Sequence, residues 1–377
     1  MFGDSVLYIW QRPDWPLWRY ELGRLMPFLT AIHREVGVLQ GRMRELGFDV
    51  QRAHHLSMLS EDVLKSSEIE GEKLDKASVR SSIARRLGID AGALPVPDRY
   101  VDGVVAMMLD ATTPSTASLT AERLQSWQSA LFPTGYSGIL KITIGAWRDD
   151  EEGPMQVVSG PIERRKVHFE APPARVIADE IERFLLWFNT ESALDPLIKA
   201  GLAHLWFITL HPFDDGNGRV ARAIGDMALS QAEQTPVRYY SFSAQIQRER
   251  EAYYTQLERA QKGEMEVTAW MEWFLGCLLR AVQSANQEVS TALEKARYWA
   301  QWSSAPLNAR QIRLMNRLLD GFEGKLTTSK WATLAKCSHD TALRDIQELM
   351  DRGILIRSQS GGRSTSYVLD NKKPGTN

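Results

Sequence analysis

The sequence predicts a mainly α-helical protein carrying one small β-hairpin, followed by a module of three helices and a second hairpin. Three observations carry that expectation. Apolar residues recur at three- and four-residue steps through most of the 377 residues, the period of a helix buried along one face. Strand-like pieces are confined to residues 145–169 and 354–369. The charge balance also changes late: residues 301–377 hold 12 Lys/Arg against 7 Asp/Glu, on a chain of net charge −2.

The elements follow in order. In "YIWQRPDWPLW" the tryptophans at 10, 15 and 18 alternate with two prolines, which suits an extended arm packing its rings on the body. A helix is expected in "PLWRYELGRLMPFLTAIHREVGVLQGRMRELG", with Leu25, Phe28, Leu29, Ile32, Val36 and Leu39 on one face. A second, "LSMLSEDVLKSSEIEGE", should stop at Gly71, a C-cap residue. "GALPVPDRY" is a linker, and helices resume to about Leu131. "MQVVSG" and "KVHF" flank Gly160-Pro161 and predict a hairpin. Helices then cover "VIADEIERFLLWFN", residues 197–210 and the stretch from Arg219 to about 300. Beyond "SSAPL", the helices "ARQIRLMNRLLD", "TSKWATLAK" and "HDTALRDIQELMDRG" precede "ILIRSQ" and "TSYVL" around Ser360-Gly361-Gly362, an order that resembles a winged helix-turn-helix. The expected domains are residues 1–100, 101–300 and 306–370.

Bulk properties narrow the class. Hydrophobic residues make up 44% and charged residues 24%, as in a folded globular chain. Two cysteines, Cys277 and Cys337, cannot build a disulfide framework or a metal cluster, which suits a reducing, cytoplasmic setting. "MFGDSVLYIW" lacks the basic-then-apolar order of a secretory signal. "WMEWFLGCLL" is too short for a membrane span and contains Glu272, so no membrane role is expected.

The chemistry concentrates in "LHPFDDGNGRVARAIGDMAL", Leu210 to Leu229. Gly216, Asn217 and Gly218 fall where one helix has ended and another begins, so free backbone N–H groups form a cradle for anions. Arg219 and Arg222, three apart, share a face of the new helix and call for a strongly anionic ligand. Val220, Ile224, Met227 and Ala228 take the core side. Asp215 offers a hard oxygen suited to Mg²⁺. His211, held at a helix end before Pro212, is placed to take a proton from an attacking hydroxyl. Such a set describes a nucleotidyl- or phosphoryl-transfer site. It is not a P-loop, because no Gly-Lys-Ser/Thr follows the glycines.

"HPFDDGNGR" followed by Arg222 resembles the signature of the Fic (Fic/Doc) family, HPFx(D/E)GN(G/K)RxxR, at every specified position. The resemblance implies a Fic-type helical bundle with a hairpin flap. It also implies transfer of AMP from ATP to a Ser, Thr or Tyr hydroxyl of a protein, with release of pyrophosphate. On that reading His211 is the base, Asp215 the Mg²⁺ ligand, and Gly216, Asn217 and Gly218 the α/β-phosphate cradle. Arg219 holds the outer phosphates and Arg222 the γ-phosphate, with Val220 and Ala221 in the same nucleotide-binding stretch. Gly216 and Gly218-Arg219 depart from the kinase-like Doc branch. The stretch from Gly145 to Val176 resembles the flap that holds the target as an added strand, with Arg165, Lys166, Val167 and His168 bordering the nucleotide. "REAYYTQLERAQKG" resembles the helix lining the adenosine pocket through Tyr253 and Tyr254, with Gln261 where relatives often carry Asn. The N-terminal arm and helices resemble a leader domain of longer Fic proteins.

Ser66-x-x-x-Glu70-Gly71 resembles the family's inhibitory pattern, (S/T)xxxE(G/N). A glutamate at a helix C-terminus meets the negative end of the dipole, a cost of up to about 1 kcal/mol. Arg222 is the partner that would offset it, and pairing would keep ATP from its productive pose. Asp214 is expected to be exposed or capping, and His33, His54, His55 and His204 to be ordinary packing or surface residues. Removal of AMP, or transfer of another nucleotidyl or phosphoryl group, is the rival enzymatic reading. The rival without catalysis is a DNA-binding regulator whose Fic domain senses ATP. Expected partners are a target protein or this chain itself, self-association as a homodimer, and DNA or protein contacted by the third C-terminal helix through Arg344, with Arg357 and Arg363 on phosphates.

Overall fold

The computed structural model describes residues 7–89, 95–113, 117–151, 153–160, 164–233, 237–303, 305–322, 324–358 and 365–370. It divides into two compact units, Met1–Asn286 and Gln287–Asn377. The chain is mainly helical, with small antiparallel hairpins as its described sheets.

The first unit opens on a single 3-10 turn, Ile9–Gln11, within the aromatic arm. Trp15 and Trp18 stack edge-on to each other and to Trp206, with ring centroids 5.2–6.1 Å apart. The Trp10 and Trp15 indoles donate to the Glu170 carbonyl and to Glu180, so the arm is fastened by polar tips as well as by area. Helix α1 is Leu22–Arg44 and α2 is Phe48–Ile69. The α1 pattern was expected to begin at Pro16, but residues 16–21 stay outside the helix, where the Arg19 backbone pairs with that of Met265 and Val267. Glu70 is the C-cap of α2, and Gly71 turns left-handed at φ 89°, the conformation for which glycine was expected there. Helices α3 (Lys76–Arg86), α4 (Arg99–Thr112) and α5 (Ala121–Leu131) follow, each started by an acidic or threonine N-cap: Asp75, Asp98 and Thr120.

Two hairpins come next. Strands β1 (Tyr136–Ser137) and β2 (Leu140–Lys141) are too short to show alternation in the sequence. Strands β3 (Gln156–Ser159) and β4 (Lys166–Glu170) form the expected hairpin, with Val157 opposite Phe169 and an irregularity before Val158. Its Pro161 lies outside the described residues.

Helices α6 (Ala174–Thr190), α7 (Pro196–Leu210) and α8 (Asn217–Glu233) form the centre. From Leu197 to Leu210 nearly every side chain of α7 is buried, so it has no solvent face and becomes the helix around which the others pack. Helices α9 (Phe242–Arg248), α10 (Arg250–Gln261) and α11 (Thr268–Gln301) complete the unit, and the unit boundary falls inside α11. The Trp270 indole on α11 donates to the Gly201 carbonyl on α7.

The second unit contains α12 (Ala309–Leu319), α13 (Thr328–Ala335) and α14 (His339–Asp351), then β5 (Leu355–Arg357) paired antiparallel with β6 (Tyr367–Leu369). Leu314, Met315, Trp331, Ile346, Leu349 and Leu355 form its own core. The expected turn at Ser360-Gly361-Gly362, and Arg363, lie outside the described residues.

Candidate active site

His211 follows the last residue of α7 in the left-handed conformation, φ 49° and ψ 55°. A non-glycine residue is strained there, so the neighbours must fix it. Its N–H donates to the Phe207 carbonyl, and its own carbonyl accepts from Arg148 Nε at 2.8 Å. The imidazole Nδ1 lies 3.1 Å from the Ile208 carbonyl. A carbonyl can only accept, so Nδ1 carries the proton of the neutral ring and Nε2 keeps its lone pair. Burial holds the His211 pKa below its ordinary value; the Arg148 charge adds to that effect, while the Ile208 carbonyl, Glu70 and Asp215 oppose it.

The loop after His211 is built for close approach. Gly216 has φ 90°, and a Cβ there would press on the Phe132 and Leu131 side chains at 3.0–3.1 Å. Asn217 starts α8, but its amide does not reach outward. Its Oδ1 accepts from the Phe213 N–H at 3.0 Å and its Nδ2 donates to the Phe213 carbonyl at 2.7 Å, which closes the loop on itself. An anion at this helix start would meet backbone N–H groups and not the Asn217 amide, which clasps the loop. Asp214 is half-buried and accepts from the Thr143 N–H, a loop amide beyond β2, at 2.8 Å. Asp215 accepts from the Ser137 hydroxyl and lies 4.0 Å from Arg219.

No cluster of three or more His, Cys, Asp or Glu among the described residues could hold a metal ion. Asp215 alone fits an ion that takes most of its oxygens from water and phosphate, as Mg²⁺ does.

Both arginines of the motif are engaged by protein. Arg222, 2% exposed, meets Glu70 Oε1 at 2.7 Å, and its Nε and Nη2 donate to the Ser66 hydroxyl and carbonyl at 2.9 and 2.8 Å. The Glu70 carboxylate also lies against Gly218, where an added Cβ would collide with it. Arg219 stacks on Phe132 and donates to the Tyr100 hydroxyl at 2.7 Å. Tyr100 in turn donates to Glu72, two residues beyond Glu70. At the C-terminal end of α2, Arg250 Nε donates to the Ile69 carbonyl at 2.7 Å and the Tyr254 hydroxyl at 3.3 Å.

A cavity of about 800 Å³ opens in front of His211. Glu70, Lys166, His168, His211, Asp215, Asn217, Gly218, Tyr253, Tyr254 and Gln261 line it. Arg165, Val167, Gly216, Arg219, Val220, Ala221 and Arg222 do not. Val220 and Ala221 are fully buried and belong to the core. Tyr253 turns its hydroxyl inward to His204 Nε2 at 2.9 Å, and burial drives the His204 pKa down to about 3, so that histidine packs as a neutral core residue. His168 joins Ser159 on β3 to Glu258 on α10, at 2.6 and 2.7 Å. Four residues around the site were not anticipated: Tyr100, Ser137, Arg148 and Glu258. Their partners are distant in sequence, 63 residues away for Arg148 and His211, and no local pattern announces such a contact.

A left-handed histidine, a glycine-lined helix start and a hairpin thus share one cavity on a helical bundle. Residues 118–229 match the Fic/DOC family model, and residues 8–89 match a domain of unknown function, DUF4172. Residues 118–229 thus form a Fic family domain. It is 26% identical over 243 residues to a Drosophila melanogaster protein named protein adenylyltransferase Fic, a match covering 63% of this chain and 42% of that one. It is 31% identical over 99 residues to a probable protein adenylyltransferase of Aquifex aeolicus, covering 26% and 28% of the two chains. The chain thus spans less than half the length of these relatives. Among solved structures, a Fic family protein from Desulfovibrio desulfuricans superposes with a TM-score of 0.51 at 20% identity, covering 92% of this chain and 97% of that one. A Fic domain containing signaling protein from Bacteroides thetaiotaomicron gives 0.52 at 17%, covering 69% and 97%. No described helix is long and apolar enough to cross a membrane.

Proposed function

We propose that this chain is a protein adenylyltransferase that transfers AMP from ATP to a Ser, Thr or Tyr hydroxyl and is held silent by Glu70. The observation that carries the reading is the neutral imidazole of His211 facing a cavity between the α8 cradle and the β3–β4 flap. His211 Nε2 accepts the proton of the target hydroxyl. The oxygen attacks the α-phosphorus as the bond to the bridging oxygen breaks, and pyrophosphate leaves. Backbone N–H groups at the start of α8 face the phosphate charge. Asp215 would hold Mg²⁺, which neutralises phosphate charge when bound. The target side chain is presented by a segment that adds to the edge of the flap, this chain itself or a second copy being one such target.

Inhibition follows from which groups the arginines meet. Glu70 occupies Arg222 and sits over Gly218, so a γ-phosphate finds neither the charge nor the space. Tyr100 and Glu72 engage Arg219 in the same way. Activation on this reading withdraws residues 66–72 from α8. The two free cysteines support a cytoplasmic setting. We read the second unit as a winged helix-turn-helix that contacts DNA.

The test incubates wild type, Glu70→Gly and Glu70→Gly/His211→Ala with α-labelled or γ-labelled ATP and Mg²⁺. Label on protein from the α position only, strong in the single variant and absent in the double, supports the proposal. Label from the γ position indicates phosphoryl transfer. No label with ATP still bound favours a sensor or an enzyme that removes AMP.

A further inference from the structure

Arg148 has no place in the motif, yet it is 3% exposed and its guanidinium spends every nitrogen on the active-site frame. Nε donates to the His211 carbonyl at 2.8 Å. Nη2 donates to the Pro172 carbonyl at 2.5 Å, just beyond the end of β4. Nη1 meets Asp150 at 2.8 Å, and the other Asp150 oxygen accepts from the Ala174 N–H at 2.6 Å at the start of α6. The backbone joins in, because the Arg148 N–H donates to the Pro212 carbonyl at 2.9 Å. One side chain and its peptide therefore fasten the loop carrying His211, the root of the flap and the first turn of α6.

The consequence for His211 is specific. Its left-handed backbone costs energy that the surroundings must repay, and the peptides on both sides of that residue are pinned: its N–H by Phe207, its carbonyl by Arg148. Rotation about His211 ψ would move the imidazole relative to the cavity, and Arg148 blocks it. We infer that Arg148 is a positioning residue for the transfer reaction, which sets the direction of the His211 imidazole and its distance from a hydroxyl presented by the flap. The inference rests on the adenylyltransferase reading above. Arg148 touches neither the cradle nor Arg219 nor Arg222, so it acts on the geometry of the base and not on binding of ATP. Its charge also faces His211, alongside Glu70 from the end of α2 and Asp215 from the same loop, and favours the neutral ring.

A lysine can keep the charge but cannot make three divergent hydrogen bonds in one plane; a glutamine keeps neither. The experiment uses the full chain with Glu70→Gly as the parent, adding Arg148→Lys or Arg148→Gln. It measures kcat and KM for ATP, the pH–rate profile, circular dichroism, and the His211 ring by ¹⁵N NMR. Expected is a fall in kcat of about 100-fold in both variants, the scale of a misplaced reacting group, with KM for ATP unchanged. The His211 titration should move to higher pH in the glutamine variant and stay in place in the lysine variant. An unchanged kcat in a folded lysine variant overturns the inference, as does a KM that rises in step with a falling kcat. Should the glutamine variant fail to fold, the lysine variant decides alone. A parent that transfers no label defeats the adenylyltransferase reading itself, an outcome distinct from either.

Discussion

A glutamate at the C-terminus of its own helix sits at the wrong end of a dipole, and Glu70 shows what compensates. Its carboxylate points away from α2 toward Gly218 in the first turn of α8, the positive end of a different helix, and reaches Arg222 there. The four-residue spacing from Ser66 to Glu70 lets both grip one guanidinium from successive turns. This contact was legible in the sequence because both halves of it are short local motifs. His211 offers a prediction at the same scale. Its pKa is held below the usual value of about 6.5, and the reaction needs the neutral ring, so activity is fully present above that pH and falls only as acid protonates the base. The kcat/KM of Glu70→Gly, which reports the free enzyme, should therefore be level from pH 7 upward and lose half its value below pH 6.5. An acid midpoint at or above 6.5 would sink the assignment of His211 as the base. Asn217 adds a contact that no local pattern announces. Its position in the motif marks it for the phosphates, but only the fold reveals that its amide is consumed by Phe213.

Among the elements, the β3–β4 hairpin carries few buried residues of its own and depends on a neighbour. Phe169 is its buried anchor, and His168 reaches across to Glu258 on α10. Burial would raise the Glu258 pKa, but hydrogen bonds from Lys262 and His168 outweigh it and hold the carboxyl at about 2. A depressed acid stabilises the folded arrangement above its unfolded pKa, near 4.5, and the contribution disappears as pH falls from there toward 2. Glu258→Gln should mimic the acid end of that range at neutral pH. Hydrogen exchange of the amides in Gln156–Ser159 and Lys166–Glu170 should rise several-fold in the variant with α7 unaffected; equal exchange in both proteins would show that the hairpin holds by itself. The hairpin was readable from its β-branched residues, whereas β1–β2 was not, since two-residue strands carry no period. Helix α14 makes a third case. Its acidic residues argue against a DNA role on the sequence, but Asp345 is buried and bound by Arg310 at 2.9 Å, so it does not face outward. Exposed His339, Arg344 and Gln347 remain to meet a groove, in company with exposed Asp340, Glu348 and Asp351. Fluorescence anisotropy with a duplex should show binding that weakens from 50 to 200 mM salt with a log–log slope of about −1 for each phosphate contact, Arg357 making one. Arg344→Glu should weaken it further, and no binding at 50 mM would leave the second unit as a protein-docking module.

At the scale of the whole molecule, the proposed function turns the same few contacts into a competition between a folded segment and a nucleotide. Residues 66–72 satisfy Arg222 through Ser66 and Glu70, and Arg219 through the Tyr100–Glu72 pair, so on that proposal ATP enters productively only after contacts within the protein are given up. Apparent affinity is then the intrinsic affinity scaled by the fraction of molecules in which the segment has withdrawn. Glu70→Gly removes the carboxylate and leaves the cradle intact, so it should bind a non-hydrolysable ATP analogue with Mg²⁺ more tightly than wild type. Binding to the native state alone raises its stability with ligand concentration. A tenfold difference in Kd corresponds to about 1.4 kcal/mol at saturating analogue, or about 2 °C in the melting temperature of a unit of this size. The comparison must be made within each protein, with and without analogue, because loss of the Glu70–Arg222 pair lowers the starting Tm of the variant. A larger analogue-induced shift in Glu70→Gly than in wild type fits a glutamate that competes for the phosphate site. Equal shifts would mean that ATP and Glu70 occupy the protein together, and the proposed silence of the wild type would then have to arise after binding, in the placement of the α-phosphate.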